Sequence, residues 1–464
     1  MARIGMLTFM RIIAITSLAS AQNHTTDIVT EQNTLIRQTL DNSRFESGKP
    51  ASGASVDPSQ LRLVVVIHRH AERTPVFSIP WGRNVTRQSA IPTDAQLTSR
   101  GVKQMYEYGQ WIRRRYQAFF ETNDRIPSQR ITIISSHTDR TITSAQALAA
   151  GLLPTENTTR RWDSELGKYW YPIPVYAQPY HDDLYLFNYD DADCPLMGRL
   201  RRTINEMPLA KQLEAELADF KRAIMKASGI ANYDFWGTTT AIEDAMRYAL
   251  EYPQTNAIPP WMNTTLLDAI ERIAGMRMHL IAGGNGDRQR TRLKTGRLLD
   301  DIFHRMEKST KDNAQNLLKM VFYSCHDENV SAILAALNLF NYTLKGPNFG
   351  IPEFTASVIF ELFKNNSVRI LLKNNAQDEC GDPIVLRHPE YYSDFCPLQE
   401  LRHILDDVIV SKKQFDEECN SLPTGSWATT VAPATPLPST HIDKLIRDKR
   451  RVRPGKGFPM DVKI

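Results

Sequence analysis

Three separated segments of the chain share one pattern, in which an apolar, β-branched run ends in charged or imidazole side chains. The pattern occurs where Leu63–His68 meets Arg69–Pro75, where Ile131–Ser135 meets Ser136–Arg140, and where Met320–Ser324 meets Cys325–Asp327. Buried strands of parallel sheets have this composition, and helical patterns follow the second and third runs. Open α/β sheets bind ligands at the carboxyl ends of their strands. We therefore predict a doubly wound, mainly parallel α/β sheet flanked by helices, with a site at those ends.

The side chains at these strand ends suit the binding and transfer of a phosphoryl group. Guanidinium groups are permanently charged forked donors that match phosphoryl oxygens, whereas imidazole and carboxyl groups attack or carry protons. The candidate phosphate-binding residues are Arg69, Arg73, Arg140 and His326, and the candidate catalytic residues are His70 and Asp327. One guanidinium about 6 Å from an imidazole disfavours its protonation by ~2–3 kcal/mol at an effective dielectric of about 20. The arginines therefore predict a neutral His70 in acid.

The first charged segment matches a family motif at all but one position. The histidine acid phosphatases, in the branch of the prostatic and lysosomal acid phosphatases, carry Arg-His-Gly-x-Arg-x-Pro, and Arg69–Pro75 resembles this motif with Ala71 in place of Gly. The stretch from Leu97 to Tyr116 is also similar to these enzymes, through the pattern Leu-Thr-x-x-Gly-x-x-Gln. The resemblance covers roughly residues 61–420. It implies a doubly wound core with a helical cap and an acid phosphatase without a cofactor.

The resemblance also implies a role for each site residue. His70 is the expected nucleophile and forms a phosphohistidine intermediate. His326 holds a phosphoryl oxygen opposite it, and Asp327 protonates the leaving group and then helps to activate water. Ala71 is compatible with this chemistry if its φ angle is negative.

Simpler interpretations of some residues stay open. Asp327 could only be the N-cap of a helix that starts at Glu328, or could combine both roles. Glu72 is interpreted as a solvated turn residue, with orientation of a neighbouring side chain as the alternative. His68 and His70 could suggest a metal pair, but three arginines in the same place would repel a divalent cation, so we expect no metal.

The amino terminus indicates the secretory pathway, and five cysteines are too few for a dense disulfide scaffold. Residues 1–21 read as a signal peptide that ends in the Ala19–Ala21 cleavage pattern, with a short membrane anchor as the alternative. If the chain is secreted, its cysteines can oxidise. The family resemblance pairs Cys194 with Cys419 and Cys380 with Cys396, and leaves Cys325 as an expected free, buried thiol.

Composition divides the rest of the chain. We predict a disordered leader over 22–60, an α/β core over 61–167 and 291–420, a mainly helical cap inserted over 168–290, and a Thr/Pro-rich linker with a basic tail over 421–464. Periodicity predicts helices from Thr98, over 141–153, 207–228, 240–251, 264–281, 292–306 and 328–339, and a hairpin over 355–363 and 367–373.

Charge and hydropathy limit the partners. The net charge is +4, and residues 441–464 hold eight Lys or Arg against three Asp, so the remainder is about neutral and no nucleic-acid surface is indicated. No apolar run of about 18 residues follows the linker, so we expect no stable membrane anchor. The N-x-S/T sequons fit a secreted glycoprotein, and the lysosomal lumen is the alternative location. The sequons begin at Asn23, Asn84, Asn157, Asn263, Asn329, Asn341 and Asn365. Asn329, next to the His-Asp pair, is expected to be too buried for modification.

These observations predict a secreted acid phosphatase that acts on small phosphomonoesters, and the resemblance adds a homodimer as an expectation. One alternative is a phytase or inositol-polyphosphate phosphatase, which would line its cleft with additional Lys and Arg. Another is a non-catalytic secreted relative that binds anionic ligands without turnover.

Overall fold

The computed structural model describes most of the predicted core and cap. The described residues are 58–76, 95–120, 130–155, 162–179, 182–183, 186, 194–228, 235–252, 262, 264–284, 286–311, 318–340, 351–374, 383–386 and 393–421. All of them lie in one compact unit, Ser47–Trp427. The predicted signal peptide, nearly all of the predicted leader and nearly all of the predicted tail lie outside the described residues.

A single mixed sheet organises the fold. Its strands, in chain order, are β1 (Leu61–Arg69), β2 (Ile131–Ser135), β3 (Tyr176–Ala177), β4 (Met320–Cys325), β5 (Ser357–Phe363), β6 (Ser367–Lys373), β7 (Ile384–Leu386) and β8 (Cys396–Pro397). The spatial order is β3-β2-β4-β1-β5-β6-β7, and β8 also pairs with β6. Strands β3, β2, β4 and β1 run parallel, whereas β5 and its successors add antiparallel pairs.

Helices cover both faces of this sheet. They are α1 (Ser99–Arg115), α2 (Asp139–Leu152), α3 (Pro195–Arg202), α4 (Pro208–Glu216), α5 (Ala218–Ser228), α6 (Phe235–Glu251), α7 (Thr264–Ala282), α8 (Arg288–Lys311), α9 (Asp327–Ala336), α10 (Leu398–Ile404) and α11 (Lys412–Asn420). Alternate residues of β1 enter two separate apolar cores. Val65 packs with residues of α7, α8 and α9, whereas Val66 packs with residues of α1 and α2. The predicted α/β fold class is confirmed, and burial on both faces explains why β1 is apolar without alternation.

Most predicted elements occur close to their expected positions. Thr98 is the N-cap of α1, as predicted, and its side chain accepts from the amide of Gly101. The helix predicted over 207–228 is wrong as a single element, because it is two helices separated at Leu217. Residues 58–60, assigned to the leader, form a 3-10 turn that leads directly into β1. The short elements β3, β7, β8, α3, α10 and α11 had no sequence prediction.

One predicted disulfide is present. Cys194 and Cys419 are joined, and they link the start of α3 to α11. Cys325 is a buried free thiol. Cys396 carries a free thiol in the structure, and Cys380 lies outside the described residues, so their pairing stays a prediction.

The region predicted as a helical insert contains five of the helices, α3 to α7, and the short strand β3. Because β3 pairs with β2, this region also extends the core sheet. The predicted domain boundaries stay a prediction. Among the residues that the structure describes, no helix combines the length and the apolar character needed to cross a membrane.

Candidate active site

The three charged segments meet because β4 lies between β1 and β2 in the sheet. In the strand register, Arg69 is opposite Cys325 and Ser135 is opposite Ser324, so the three strands end at the same level. Hydrogen bonds continue past the strand ends, since the amide of His70 donates to the Cys325 carbonyl over 2.9 Å. The site residues therefore follow from strand order as much as from sequence.

The six candidate residues lie together at this edge. The guanidinium Nη2 of Arg69 is 2.7 Å from Oδ2 of Asp327. The rings of His70 and His326 are 5.7 Å apart between centroids, and Nη2 of Arg140 is 3.5 Å from Nδ1 of His326. The remaining candidate, Arg73, acts electrostatically on the imidazole of His70. Residues separated by up to 258 positions in the chain thus form one cluster.

The hydrogen bonding of His70 defines its reactive atom. Its Nδ1 lies 2.8 Å from the carbonyl oxygen of Ala71. A carbonyl oxygen only accepts, so Nδ1 carries the proton and Nε2 of the neutral ring carries the lone pair. Burial lowers the pKa of His70 well below its usual 6.5, and the positive charges of Arg69, Arg73 and Arg140 lower it further. The ring is therefore neutral in mild acid.

Backbone and aromatic contacts hold the Arg69 guanidinium in place. Nη1 donates to the carbonyl of Pro352 over 2.6 Å, and the group lies 4.4 Å from the ring centroid of Phe354. The pKa of Arg69 is lowered by burial, against the opposing charge of Asp327. Arg69 is therefore a fixed cation that faces the carboxyl group of Asp327.

The other two arginines are fixed from different elements. Arg73 is 2.9 Å from a carboxylate oxygen of Asp244 on α6, and its Nη1 also donates to the Thr74 carbonyl over 3.0 Å. Arg140 is the second residue of α2. Burial, followed by the charge of Arg73, lowers the pKa of Arg140 to about 10, which still leaves it charged. Two permanent cations thus approach the site from separate directions.

His326 immediately precedes α9, and its ring contacts Ser136 after β2 and Arg140 on α2. Its Nε2 is 2.8 Å from the hydroxyl of Ser136, which follows β2. Burial and the charge of Arg140 lower the pKa of His326 to about 3, although Asp327 opposes the shift. A neutral His326 can donate only one proton, so its ring orientation decides which oxygen it binds.

The position of Asp327 corrects the N-cap interpretation. The N-cap of α9 is His326, whose carbonyl accepts from the amides of Asn329 and Val330. Asp327 is the first helical residue, and its Oδ1 accepts from the amide of Glu328 over 2.9 Å. Its side chain keeps 22% exposure, which leaves it accessible. Burial raises the pKa of Asp327, but the charges of Arg69 and Arg73 outweigh this effect and lower it overall.

The amino terminus of α1 supports the segment that carries His70. The Glu72 amide donates to Oε1 of Gln104 over 3.2 Å, and the Thr98 amide donates to the Glu72 carbonyl over 3.1 Å. A Cβ atom on Gly101 would lie 2.1 Å from the Glu72 carbonyl oxygen, so only glycine permits this approach. The Thr-x-x-Gly-x-x-Gln pattern therefore supports the segment that carries His70.

The interpretation of Glu72 as a solvated turn residue is wrong. Glu72 is buried, and its Oε1 accepts from the hydroxyl groups of Thr98 and Tyr252. Its Oε2 is 3.3 Å from Arg100. Glu72 therefore joins the segment that carries His70 to α1 and to the residue that follows α6, and its side-chain contacts are with neither Arg73 nor His70.

Sequence analysis missed the contributions of α6 and of residues 351–356. Asp244 and Arg247 come from α6, and Phe354 lies 5.9 Å from the His70 ring. Thr355 has a φ angle of 65°, which strains a β-branched residue, and its amide donates to the His70 carbonyl over 3.2 Å. No local motif marks these residues, because their contacts depend on the path of the chain.

The structure also bears on Ala71 and on the possibility of a metal site. Ala71 is fully buried, its φ angle is negative, and its amide donates to Oγ of Ser144 over 3.1 Å. Its methyl group is therefore accommodated without backbone strain. Within the described residues, no group of three or more His, Cys, Asp or Glu side chains could hold a metal ion.

Comparison with known proteins identifies the family. A family model described as histidine phosphatase superfamily (branch 2) matches residues 60–373. Prostatic acid phosphatase of Homo sapiens is 27% identical over 370 residues, which cover 79% of this chain and 89% of the relative. Lysosomal acid phosphatase of Homo sapiens is 26% identical over 379 residues, with coverage of 80% and 82%.

Solved structures share the fold. The phytase from Citrobacter braakii has a TM-score of 0.54 at 16% identity, with coverage of 78% of this chain and 99% of the phytase. The Hafnia alvei phytase in complex with myo-inositol hexakis sulphate has a TM-score of 0.55 at 15% identity, with the same coverage. At such low identity these likenesses concern the fold alone. The family match and the acid phosphatase relatives show that the chain is a phosphatase enzyme belonging to the histidine phosphatase superfamily (branch 2).

Proposed function

We propose that this phosphatase hydrolyses phosphate monoesters through a phosphohistidine intermediate on His70. The observation that carries the proposal is the state of His70, whose Nδ1 proton is held by the Ala71 carbonyl while Nε2 keeps its lone pair. Burial and the charges of three guanidinium groups hold the pKa of this ring low. A neutral imidazole surrounded by cations is a nucleophile suited to an anionic substrate in acid.

Phosphoryl binding falls to Arg69, Arg73, Arg140 and His326. A phosphate monoester resists attack because its oxygens are negative, and preorganised cations offset that charge as it redistributes in the transition state. Arg69 and Arg73 are already fixed by Asp327 and Asp244, so little reorganisation is needed on binding.

In the first chemical step, Nε2 of His70 forms a bond to phosphorus while the ester P–O bond breaks. Asp327 transfers its proton to the departing oxygen. In the second step, Asp327 takes a proton from water, the water oxygen bonds to phosphorus, and the N–P bond breaks to release phosphate. The carboxyl group ends protonated, ready for the next cycle.

Asp327 must be protonated when the ester bond breaks, although its ion pair with Arg69 favours the charged form. A bound phosphoryl group offers Arg69 a second anionic partner and adds negative charge beside Asp327. Both effects raise the pKa of the carboxyl group. Substrate binding thus prepares the general acid, and mildly acidic pH increases its proton occupancy.

The two alternatives differ in testable ways. A non-catalytic anion-binding relative would not need an imidazole with a fixed tautomer beside an accessible carboxyl group. A phytase would need cations for several phosphates, and the described site supplies one more arginine, Arg247, which is already held by two carboxylates. Phosphomonoesterase activity is therefore the better-supported proposal.

Steady-state hydrolysis of 4-nitrophenyl phosphate tests this function. His70→Ala should lower kcat on the order of 10⁴-fold or more, as expected for loss of a nucleophile. His403→Ala, an exposed histidine on α10, is the matched control and should leave kcat unchanged. Comparable turnover by His70→Ala and the parent protein would contradict the proposal.

We propose that the protein is a glycoprotein located outside the cell or in the lysosomal lumen. The Cys194–Cys419 disulfide fits an oxidising compartment. Asn329 is buried and accepts from the His326 amide, so we exclude it as an acceptor, whereas Asn365 is exposed. Expression in secretory cells with endoglycosidase treatment should shift the mobility of the protein, and Asn365→Gln should remove part of that shift.

We propose a homodimer as the assembly. Strand β3 is at the edge of the sheet, and exposed aromatic residues cluster in sequence around it, including Tyr169 at 67% and Tyr176 at 60% exposure. An exposed edge with large apolar side chains favours pairing with a second copy. Light scattering should show that the parent protein is a dimer and that the double variant Tyr169→Arg with Tyr176→Arg is a monomer. The control variant Val102→Arg, on α1, should remain a dimer. A monomeric parent protein would contradict the proposal.

A further inference from the structure

One side of the catalytic cluster is formed by α6 and residues 351–356. Pro352 binds Arg69 through its carbonyl, and Phe354 stacks against the same guanidinium. Between them in sequence is Glu353, which is paired with Arg247 of α6. This side contains both charged and aromatic groups that the proposed reaction does not use.

Arg247 is a fourth arginine near the site, but it is already neutralised. Its Nε donates to Oε1 of Glu243 over 2.8 Å, and its Nη1 donates to Oε2 of Glu353 over 2.7 Å. Two carboxylates and one guanidinium together carry a net charge of −1. Burial lowers the pKa of Arg247, but the two carboxylates outweigh this effect and raise it overall. We call these three residues the Arg247 triad.

The Arg247 triad is close enough to act on the phosphate-binding residues. Glu353 is flanked in sequence by Pro352 and Phe354, which both contact the Arg69 guanidinium. Arg247 is three residues after Asp244 on α6, and Asp244 is paired with Arg73. A second phosphate on the substrate would therefore meet a net negative group rather than a free cation. Removal of one carboxylate would abolish the net negative charge of the triad, and removal of both would leave the positive charge of Arg247.

Phe354 offers an apolar surface beside the reacting atoms. Its ring centroid is 4.4 Å from the Arg69 guanidinium and 5.9 Å from the His70 ring centroid. The side chain is only half-buried. The Arg69 guanidinium that the ring contacts is also paired with Asp327, so a half-exposed apolar surface lies beside the three groups that surround the reacting phosphoryl group.

We propose that Phe354 and the Arg247 triad set the substrate class of the site. Phe354 contacts an aromatic or other uncharged alcohol, and the triad rejects alcohols that carry additional phosphate groups. This inference rests on the phosphomonoesterase function proposed above. It assigns the enzyme to singly phosphorylated, hydrophobic monoesters and against inositol polyphosphates.

The charge component is tested by the ratio of kcat/KM for inositol hexakisphosphate to that for 4-nitrophenyl phosphate. The parent protein should strongly favour the aryl ester. The double variant Glu243→Gln with Glu353→Gln should raise this ratio about tenfold, which corresponds to ~1.4 kcal/mol of relative transition-state stabilisation. Most of the change should come from a lower KM for the hexakisphosphate. Glu165→Gln removes an exposed ion pair with Lys168 and is the matched control, with an unchanged ratio.

The aromatic component is tested with a second pair of substrates. Phe354→Leu should raise KM for the aryl ester about fivefold, as expected for partial loss of an aromatic contact, while KM for glycerol phosphate changes less than twofold. Phe395→Leu is the matched control, because Phe395 also lies beside an arginine, Arg369, but belongs to a different cluster. An equal change for both substrates in Phe354→Leu would overturn this component.

The outcomes separate this inference from the function on which it rests. A parent protein that hydrolyses inositol hexakisphosphate as well as the aryl ester overturns the inference and leaves the phosphatase function intact. A parent protein that hydrolyses neither ester overturns both. If the double variant does not fold, Glu353→Gln alone tests the charge component, because Glu353 is 26% exposed and its replacement disturbs the fold less. An unchanged ratio of kcat/KM values in a folded variant would overturn the charge component.

Discussion

Asp327 is the residue whose surroundings conflict most with its proposed task. It must donate a proton, yet its pKa is lowered because the charges of Arg69 and Arg73 outweigh the effect of burial. The conflict disappears when a phosphoryl group shares Arg69. In the empty site, the ion pair with Arg69 keeps Asp327 as a carboxylate. Asp327 therefore has a proton to donate only when the site is occupied.

The leaving group tests this role of Asp327. Asp327→Asn should lower kcat by roughly 10²–10⁴-fold for an alkyl phosphate, because a poor leaving group needs the proton. The loss in the rate of phosphoenzyme formation should be much smaller for 4-nitrophenyl phosphate, whose leaving group is stable as an anion. Rapid-quench rates with both esters provide the measurement, and equal losses for the two would rule out general-acid catalysis by this residue.

Ala71 provides a second test at the residue scale. Ala71→Gly should reduce the free energy of unfolding by about 1–2 kcal/mol, through greater backbone freedom and loss of a buried methyl group. The value of kcat/KM should stay within about twofold, because the native φ angle is already negative and no strain is relieved. Urea unfolding and steady-state kinetics measure the two quantities.

Ala149→Gly, at another buried position in the same apolar cluster, is the control for the stability effect of Ala71→Gly. A tenfold rise in kcat/KM for Ala71→Gly alone would show instead that the methyl group obstructs phosphate.

At the scale of elements, strand β1 is buried on both faces, and this burial includes His68. Burial lowers the pKa of His68 from 6.5 to about 4, although a hydrogen bond with the Arg69 backbone opposes the shift. Below pH 6.5 the unfolded chain binds a proton at this residue, whereas the folded protein does not. Stability is therefore lost as the pH falls from about 6.5 towards 4, which is the sign expected for a histidine buried in the neutral form.

His68→Gln should reduce this acid sensitivity. Between pH 7 and pH 5, the unfolding free energy of the parent protein should include a loss of about 2 kcal/mol from His68, and the variant should lack that loss. Urea unfolding at the two pH values is the measurement, with the exposed His403→Gln as the control. The same pH-dependent loss in His68→Gln and the parent would show that His68 is not the source.

The elements that could be predicted from the sequence are those whose residue types reflect burial on both faces or a helix end. The apolar runs of β1, β2 and β4 identified buried strands, and Thr98 identified the start of α1. The order of the strands was not accessible in this way, because β4 enters between β1 and β2 only through long-range pairing. The division of the predicted helix at Leu217 was also missed, since no Pro or Gly marks it.

The candidate site shows the same limit. The six residues that follow strand ends were predicted, because motifs of charged side chains after apolar runs are local. Asp244 and Phe354 were not, because they reach the site from a helix and a loop with no distinctive pattern. Glu72 was misinterpreted, since its burial depends on contacts with Thr98 and Tyr252 that lie 26 and 180 positions away.

At the scale of the whole molecule, the Cys194–Cys419 disulfide closes a long loop. The two residues are 225 positions apart and belong to a small apolar cluster that includes residues of α3, α8 and α11. A cross-link over this distance stabilises by about 5 kcal/mol in the chain-entropy model. The disulfide therefore connects the region predicted as the cap to the end of the predicted core.

Replacement of both Cys194 and Cys419 by Ser should lower the unfolding free energy by several kcal/mol, of the order set by the chain-entropy model. At temperatures where the variant stays folded, kcat should be unchanged, because neither residue contacts the catalytic cluster. Urea unfolding of the parent with and without reductant provides the control. An unchanged midpoint would contradict a stabilising role.

We expect Nε2 of His70 to be the atom that accepts the phosphoryl group. The experiment is the reaction of the parent protein with phosphate-labelled 4-nitrophenyl phosphate, stopped within milliseconds in alkaline denaturant and followed by peptide mapping. The peptide that contains His70 should carry an acid-labile, alkali-stable label, and His70→Ala should carry none. Equal labelling of the two proteins, or a label on a different residue, would show that His70 is not the nucleophile.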